Sequence, residues 1–263
     1  MTKRTRRTLY GRRKGPKLSA HQLQLLEHLL PQFELKLQRG LDPAAYFLPP
    51  PMWGGRNAER SESISSGGNS TNGPHPLATL ATSPQGGGEI HDAWLEVGFG
   101  GGEHLVWQAR QHSNVGLIGA EPYVNGVVKL LSQQEGGPLP NIRIYTGDAR
   151  DILEALPDAS LDRLFILFPD PWPKTRHHKR RFIQMDTLNE LSRVMKAGAE
   201  LRFASDDAGY VEWTLERLMA HPAFEWTATR AADWCARPAD WPPTRYEAKQ
   251  LHGKPAFLNF HRR

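Results

Sequence analysis

The sequence predicts an α/β protein whose mostly parallel sheet carries helices on both faces. From residue 93 onward, short apolar segments alternate with segments of helical periodicity. Strand–helix–strand units of this length are typical of a parallel sheet covered by helices. Polar residues follow the apolar segments, and ligands of such sheets bind beyond the carboxyl ends of the strands. We therefore expect the functional site at that edge.

The alternation predicts five strands, each followed by a helix. The predicted strands are 93–97, 115–121, 141–148, 161–169 and 199–206. The predicted helices begin near Glu103, run through Val127–Leu131, follow Asp148 as a short segment, span 182–195 and start near Gly209.

The chain before residue 93 divides into two parts. Residues 1–48 contain a basic tail and a segment of helical periodicity, with Ser19 as its predicted N-cap and Gly40 as its predicted end. Residues 49–92 are rich in Pro, Gly, Ser and Asn and cannot bury enough apolar surface to become ordered. We interpret 49–92 as a flexible insertion and 93–263 as the main domain.

The net charge of +5 is concentrated in two basic blocks. Two separated blocks favour a polyanionic partner over a uniform solubility charge, although a solvated tail explains the first block equally well. The first block comprises Lys3, Arg4, Arg6, Arg7, Arg12, Arg13, Lys14 and Lys17, and the second comprises Lys174, Arg176, Lys179, Arg180 and Arg181 with His177 and His178.

Several classes of protein are disfavoured. The sequence has no apolar run of about 18 residues, so we expect no membrane span. The basic start has no apolar segment behind it, which excludes a secretory signal and leaves an organelle transit peptide as the weaker interpretation. Cys235 is the single cysteine, so we expect no internal disulfide and no cysteine-based metal site. These observations favour a cytoplasmic protein without a bound metal.

The first predicted strand runs into a glycine turn, in the segment WLEVGFGGGEHL. Gly98 and Gly100 allow the backbone to turn tightly and to approach a ligand closely. A dinucleotide-binding fingerprint would place its third glycine where Glu103 stands, and no Walker lysine is present. The turn alone therefore does not distinguish a cofactor site from a structural turn.

Carboxylates beside the turn and at the ends of the next two strands make a cofactor site the better interpretation. Glu121 follows the second strand, where a carboxylate can accept both hydroxyls of a ribose. Asp148 follows the third, where it can meet an adenine amino group, and Glu96 precedes the turn, where it can face a cationic group. One such carboxylate is often only a helix cap. S-adenosylmethionine, with a ribose, an adenine and a cationic end, suits all three.

The segment LFILFPDPWPKTRHHKRRF joins an acidic and aromatic loop to the second basic block. Its prolines stiffen the loop and place Asp170 and Trp172 at the tip of the fourth strand. This combination is typical of a base pocket beside a phosphate track. Two roles remain open for Trp172, which either packs under the loop or stacks on a base.

Residues 168–181 resemble the bacterial tRNA (guanine-N7)-methyltransferases, which carry a Pro-Asp-Pro-Trp loop followed by a Lys-x-Arg-His-x-Lys-Arg-Arg run. The glycine turn and the segments GAEPY, GDA and ASD also resemble that family. So does RPADWPPTRYE, with Tyr246 where the family has Phe in its Thr-x-Phe-Glu motif. The resemblance covers 93–263 well and 8–40 more weakly, and the insertion at 49–92 departs from the bacterial pattern.

The resemblance implies a Rossmann-like class I S-adenosylmethionine-dependent methyltransferase with a mostly parallel, seven-stranded sheet. It implies methyl transfer to N7 of guanosine 46 in the variable loop of tRNA, by a monomer or a homodimer. The implied catalytic residue is Asp170. The implied cofactor-binding residues are Glu96, Gly98, Gly100, Glu121, Asp148 and Asp170. The implied substrate-binding residues are Lys174, Arg176, Lys179, Arg180, Arg181, Asp206, Thr244, Arg245, Tyr246 and Glu247.

Two other functions remain open at this stage. One is a methyltransferase that acts on an exocyclic amine of another nucleic acid or of a small molecule, since the loop at 169–172 is similar to an Asp-Pro-Pro-Tyr motif. The other is a non-catalytic RNA-binding module that keeps the fold. Asp206 likewise has a structural alternative, because it can cap the helix predicted near Gly209.

Overall fold

The computed structural model describes residues 11, 15–40, 42–47, 90–249 and 252–263. These residues form one seven-stranded sheet in the order β3-β2-β1-β4-β5-β7-β6. The first five strands are parallel, and β7 is antiparallel to both β5 and β6. The strands are β1 (Asp92–Val97), β2 (Val115–Ala120), β3 (Ile142–Tyr145), β4 (Leu161–Leu167), β5 (Met195–Ser205), β6 (Phe224–Trp226) and β7 (Ala256–Arg262).

Helices cover both faces of this sheet. The α-helices are α1 (Ala20–Gln24), α2 (Leu30–Phe33), α3 (Glu103–Gln111), α4 (Val124–Ser132), α5 (Ala149–Ala155), α6 (Met185–Val194), α7 (Ala208–Ala220), α8 (Ala232–Cys235) and α9 (Arg245–Lys249). A π-helical turn, Leu25–Leu29, joins α1 to α2, and two 3-10 helices span Pro43–Phe47 and Thr175–Arg180.

The core lies in two layers because successive strand residues point to opposite faces of a sheet. Trp94 packs in one layer with α3, α4 and the N-terminal helical segment. Leu95 packs in the other with α5, α6 and α7. Burial of each large apolar side chain contributes roughly 1.5–3 kcal/mol, so the two layers fix the sheet and the positions of its strand ends. The predicted α/β class and its mostly parallel seven-stranded sheet are confirmed.

The predicted helix at 182–195 begins later than expected, at Met185. The residues before it are held in the preceding loop. The Tyr210 hydroxyl accepts a hydrogen bond from the Phe182 backbone N–H at 3.0 Å. The Gln184 side chain donates to the His178 carbonyl at 2.7 Å. Tertiary contacts therefore delay the start of α6.

The N-terminal helical segment begins where it was predicted to begin, but it ends before the predicted residue. Ser19 caps α1 in a capping box with Gln22. The helical segment ends at Phe33 and not near Gly40, because the chain then becomes extended and the Leu35 N–H donates to the Ile144 carbonyl of β3 at 2.7 Å. The apolar residues beyond Phe33 were interpreted as one more helical turn, but Leu35 is buried against the sheet in extended backbone.

Two regions of the sequence-based interpretation lie largely outside the described residues. They are the basic tail, apart from Gly11 and residues 15–17, and residues 49–89 of the insertion. Over the part of the chain that the structure describes, no helix combines the length and the apolar character needed to cross a membrane.

Candidate active site at the carboxyl edge of the sheet

A cavity of about 490 Å³ opens where β1, β2 and β4 end. The last residues of these strands, Val97, Ala120 and Leu167, form part of its wall. Six of the predicted site residues line this cavity, namely Gly98, Gly100, Glu121, Asp148, Asp170 and Arg180. The placement follows the expectation that the site lies beyond the carboxyl ends of parallel strands.

The glycine turn between β1 and α3 forms the floor of the cavity. Gly98 and Gly100 have φ values of 72° and 57°, which side chains with a Cβ rarely adopt. The Gly100 N–H donates to Glu121 Oε2 at 2.7 Å, so the turn and the end of β2 are joined directly. The glycines serve the turn and its contact with a buried carboxylate.

Glu121 is the buried carboxylate of the cavity lining. Its Oε1 accepts a second hydrogen bond, from the Tyr123 N–H at 2.9 Å. Burial raises the pKa of Glu121 to about 7, although its two backbone hydrogen bonds oppose the shift, and the nearby negative charges of Asp170 and Glu96 add to it. A cationic or hydroxyl-bearing ligand in the cavity would favour the ionised form.

Asp148 lies at the start of α5 and lines the cavity at the same time. Its Oδ1 caps the helix by accepting from the Arg150 N–H at 3.0 Å, and its Oδ2 accepts from Arg150 Nη1 at 3.1 Å. The Arg150 guanidinium in turn lies 5.3 Å from the centroid of the Phe182 ring. Asp148 therefore caps α5 and lines the cavity, and its contact with a ligand stays a prediction.

Glu96 occupies a different position from the other two carboxylates. It is buried beneath the turn, 3% exposed, and its Oε2 lies 2.8 Å from Nδ1 of His104 in α3. Within the described residues it does not belong to the cavity lining. Its contact with a cofactor therefore stays a prediction.

The loop after β4 is held in a strained backbone conformation. Phe168 and Trp172 have φ values of 49° and 47°, which cost about 1–2 kcal/mol each for residues with side chains. Arg181 supports the loop, because its Nε donates to the Pro171 carbonyl at 2.8 Å and its Nη1 to the Gly209 carbonyl at 3.1 Å. The loop therefore presents Asp170, which is exposed and lines the cavity, from a fixed frame.

The position of Arg181 corrects one prediction. Arg181 was expected to contact substrate together with the rest of the second basic block. It is 2% exposed, and its guanidinium lies over the rings of Tyr210 and Trp213 at 4.8 and 5.0 Å. This burial fits a residue that holds the loop and not one that binds an external phosphate.

The other cations of the block are accessible. Lys174, Arg176 and Lys179 are exposed on or beside the 3-10 helix Thr175–Arg180. Desolvation and then the surrounding positive charges lower the pKa of His177. The Arg180 guanidinium lies 4.8 Å from the centroid of the Trp172 ring, and both residues line the cavity. The basic block thus extends from the cavity to the protein surface.

The predicted substrate residues near the C-terminus form a cluster of their own. Thr244 and Glu247 cap α9 reciprocally, and Glu247 also accepts from Arg237 Nε at 3.0 Å. Arg245 Nη2 lies 3.4 Å from Glu103 Oε1, beside the glycine turn. The side chain of Tyr246 lies outside the described residues.

Asp206 does not take the structural role that the sequence left open, and its contact with substrate stays a prediction. It does not cap α7, because the neighbouring Asp207 does so by accepting from the Tyr210 N–H at 2.7 Å. Asp206 Oδ2 instead accepts from the His252 N–H at 3.1 Å, which ties the end of β5 to the segment before β7. As far as the chain is described, neither Asp206 nor the C-terminal cluster contributes to the cavity lining.

Sequence reasoning did not single out four residues that line the cavity or contact a predicted site residue. Tyr123, Arg150 and Phe182 line the cavity, and His104 contacts Glu96. Arg150 could have been found from its spacing, because a residue two positions after a helix N-cap donates its N–H to the cap. The other three depend on which elements meet in space.

The sequence matches known proteins over nearly its whole length. Residues 91–258 match a protein family described as "Putative methyltransferase". A tRNA (guanine-N(7)-)-methyltransferase of Rhodospirillum rubrum is 46% identical over 97% of this chain and 87% of its own length. A protein of the same name from Chelativorans is 40% identical over 98% of this chain and 96% of its own length.

Among solved structures, the 16S rRNA methyltransferase KamB covers 66% of this chain and 89% of its own, with 17% identity and a TM-score of 0.49. The sequence relatives are far more similar, and the family match over residues 91–258 spans the strands, the strained loop and the C-terminal cluster. The chain therefore belongs to the tRNA (guanine-N(7)-)-methyltransferase family.

Proposed function

We propose that the protein transfers a methyl group from S-adenosylmethionine to N7 of guanosine 46 in the variable loop of tRNA. One observation carries the proposal beyond family membership. A single cavity contains the carboxylates that follow β2, β3 and β4, which are Glu121, Asp148 and Asp170. The loop that carries Asp170 leads directly into the basic block. A donor with a ribose and a cation therefore lies next to a surface suited to RNA.

The residues of the cavity fit S-adenosylmethionine. Each oxygen of Glu121 accepts one backbone N–H and retains capacity for a ribose hydroxyl. We assign Asp148 to the adenine amino group, and we assign Glu96, which lies beneath the glycine turn and outside the cavity lining, to the cationic amino-acid end. When bound, S-adenosylmethionine supplies the methyl group as an electrophile. Gly98 and Gly100 leave room for its close approach.

The chain's task on the guanosine side is alignment and charge stabilisation. Guanine N7 is an exposed lone pair with no proton to remove, so no general base is needed. The stiff loop holds Asp170 where its carboxylate can stabilise the positive charge that develops on the purine. Asp170 can also accept hydrogen bonds from the N–H groups of the base.

The other edge of the guanine is assigned to the residues near the C-terminus. An arginine on the O6/N7 edge, its usual position in base recognition, would block the nucleophile. Carboxylates and a hydroxyl can bind the opposite edge instead, and their present partners leave lone pairs available. The residues assigned to this edge are Asp206, Thr244 and Glu247, and Arg245 and Tyr246 are assigned to substrate binding without a defined contact.

The phosphates are assigned to the accessible cations Lys174, Arg176, Lys179 and Arg180, each of which adds an increment of salt-dependent affinity. Arg181 is left out of this set because it is buried. We further propose that the protein acts in the cytoplasm, as a monomer or a homodimer.

The test is methyl transfer from labelled S-adenosylmethionine to tRNA, followed by analysis of the labelled nucleoside. We expect N7-methylguanosine in tRNA transcripts that carry guanosine at position 46. Transcripts with 7-deazaguanine at that position should not be labelled. Full labelling of the 7-deazaguanine transcript would rule out N7 of that guanosine as the acceptor, and failure to bind S-adenosylmethionine in calorimetry would favour a non-catalytic RNA-binding module.

A further inference from the structure

A chain of buried side chains connects β1 to the C-terminal cluster. Glu96 Oε2 lies 2.8 Å from His104 Nδ1, and His104 Nε2 lies 3.1 Å from Gln108 Nε2. Gln108 Nε2 also donates to the Asp240 carbonyl at 2.9 Å. Glu96 and His104 are each 3% exposed, and Gln108 is fully buried. The two contacts of His104 are therefore shielded from solvent, and the contact of Gln108 with the Asp240 carbonyl is partly shielded.

The geometry of these hydrogen bonds determines which nitrogen atoms of His104 and Gln108 donate and which accept. The Gln108 amide nitrogen has two hydrogens, one directed at the Asp240 carbonyl and the other at His104 Nε2. His104 Nε2 must then accept, so Nδ1 carries the proton and donates to Glu96. The opposite orientation of the amide would place Gln108 Oε1 against the Asp240 carbonyl oxygen, which also only accepts. One arrangement therefore satisfies all three contacts.

The unused atom of Gln108 supports a positioning role. Its Oε1 is buried and has no hydrogen-bond partner among the described residues. A buried acceptor without a partner is costly, and an apolar side chain of similar size would avoid that cost. The glutamine is thus better explained by the two groups that it holds than by its contribution to packing.

The far end of the chain leads to the predicted guanosine-binding residues. Trp241, next to Asp240, is buried 5.9 Å from the His104 ring, centroid to centroid. Arg237 donates to the Trp241 carbonyl at 2.6 Å and to Glu247 Oε1 at 3.0 Å. Glu247 forms the reciprocal cap with Thr244. A shift of the backbone at Asp240 would therefore displace the Trp241 carbonyl and Arg237, and with them the hydrogen bond that positions Glu247 beside Thr244.

We propose that His104 is a positioning residue that joins the two halves of the active site. It orients the Glu96 carboxylate toward the cofactor and, through Gln108, fixes the segment 237–249. The proposal rests on the assignment of Glu96 to the cofactor and of Thr244 and Glu247 to the guanosine. Cofactor binding that orders Glu96 thereby favours the guanosine-binding conformation of the segment 237–249, and guanosine binding favours the cofactor-binding position of Glu96.

The first test replaces Gln108 by Met, which has similar length and cannot bind Asp240. We expect faster amide hydrogen exchange in 237–249 of the protein without ligands, and an increase of about tenfold in KM for tRNA, the usual effect of one lost hydrogen bond. Cofactor affinity in calorimetry should stay unchanged, because the contact between His104 and Glu96 remains.

Two variants of His104 separate the two ends of the chain. In His104→Asn, the amide nitrogen can replace Nδ1 and keep the bond to Glu96, while the contact with Gln108 is lost. This variant should reproduce Gln108→Met, with normal cofactor affinity. His104→Leu removes both contacts and should weaken cofactor binding as well, again by about tenfold.

Val106→Ala is the matched control, since Val106 is buried in the same helix and does not belong to the hydrogen-bond chain. If Val106→Ala accelerates exchange in 237–249 as strongly as Gln108→Met, or if Gln108→Met leaves that exchange unchanged, the proposal is wrong. Failure of the guanosine assignment is recognised separately, by an unchanged KM for tRNA in Thr244→Ala and Glu247→Ala. The exchange result does not depend on that assignment.

Discussion

The cofactor side and the RNA side of this active site are organised differently. On the cofactor side, carboxylates are buried or nearly so, and backbone N–H groups hold them: Glu121 binds Gly100 and Tyr123, and Asp148 binds Arg150. On the RNA side, Lys174 and Arg176 are exposed on the protein surface.

This difference reflects the two ligands. A small cofactor must be aligned with its acceptor, and groups held by backbone contacts lose little entropy when it binds. A phosphate chain is attracted over longer distances by charge, so flexible cations suffice. Substitutions on the cofactor side should therefore have large, specific effects, and those on the RNA side small effects that depend on salt. The strained loop with Asp170 lies between the cofactor side and the RNA side.

The largest effect is expected for Asp170→Ala. The rate constant for methyl transfer under saturating conditions should fall by about a hundredfold or more, the usual effect of removing one group that stabilises transition-state charge. Cofactor affinity should change little, because Glu121 and Asp148 remain. Single-turnover kinetics and calorimetry provide the two measurements. Asp170→Asn is the control for size, and unchanged turnover in Asp170→Ala would refute its role.

Arg181→Met comes next, and its effect should fall on stability. The substitution leaves the carbonyls of Pro171 and Gly209 without their donor, which costs about 2–3 kcal/mol in the free energy of unfolding. Denaturant unfolding measures this quantity. The salt dependence of tRNA binding should not change in the fraction that remains folded. A flatter salt dependence with unchanged stability would return Arg181 to the phosphate contacts.

Arg181 also shows where prediction from the sequence ends. The five parallel strands and the carboxylates at their ends were predictable, because apolar periodicity and the geometry of parallel sheets place them without further information, whereas β6 and β7 were not predicted from the pattern. Arg181 and Arg180 are adjacent in one basic run, and no local pattern separates the buried one from the one that lines the cavity. That separation depends on Tyr210 and Trp213, which α7 brings beneath Arg181.

The same limit applies to His104 and to the segment after Phe33. His104 lies in a helix that was predicted correctly, but its contacts with Glu96 and Gln108 bring the segment around Asp240 to the same place. The run of leucines through Leu35 has helical spacing, yet β3 offers an edge carbonyl to the Leu35 N–H. In both cases the local structure depends on contacts with a part of the chain that is distant in sequence.

A more moderate effect is expected for Glu121, in the number of protons released when the cofactor binds. Its pKa is about 7 without ligands, so at pH 7 roughly half of the molecules carry the proton. Ribose hydroxyls and a cationic donor favour the ionised form, so cofactor binding should release up to about half a proton. Calorimetry at pH 7 in buffers of different ionisation enthalpy measures this release.

Glu121→Gln is the control, and it should bind the cofactor more weakly and release no proton. A second measurement follows from the same raised pKa. Without ligands, Glu121 stabilises the fold most below pH 4.5, and this contribution is lost as pH rises through about 7. The melting temperature of the natural protein should therefore fall relative to Glu121→Gln between these pH values. Parallel profiles of the two proteins would contradict the raised pKa.

The smallest effect per residue is expected on the RNA side, for Lys174→Ala combined with Arg176→Ala. Each lost phosphate contact should reduce the slope of log affinity against log salt by about 0.7 on single-stranded RNA. Affinity for tRNA should weaken modestly at low salt and hardly at all at high salt, and stability should stay constant because both side chains are exposed. Lys129→Ala, a cation on α4 outside the basic block, serves as the control. A slope that changes equally in the control would indicate a general effect of net charge, whereas a slope reduced only in the double variant would place the RNA backbone on the surface next to the strained loop.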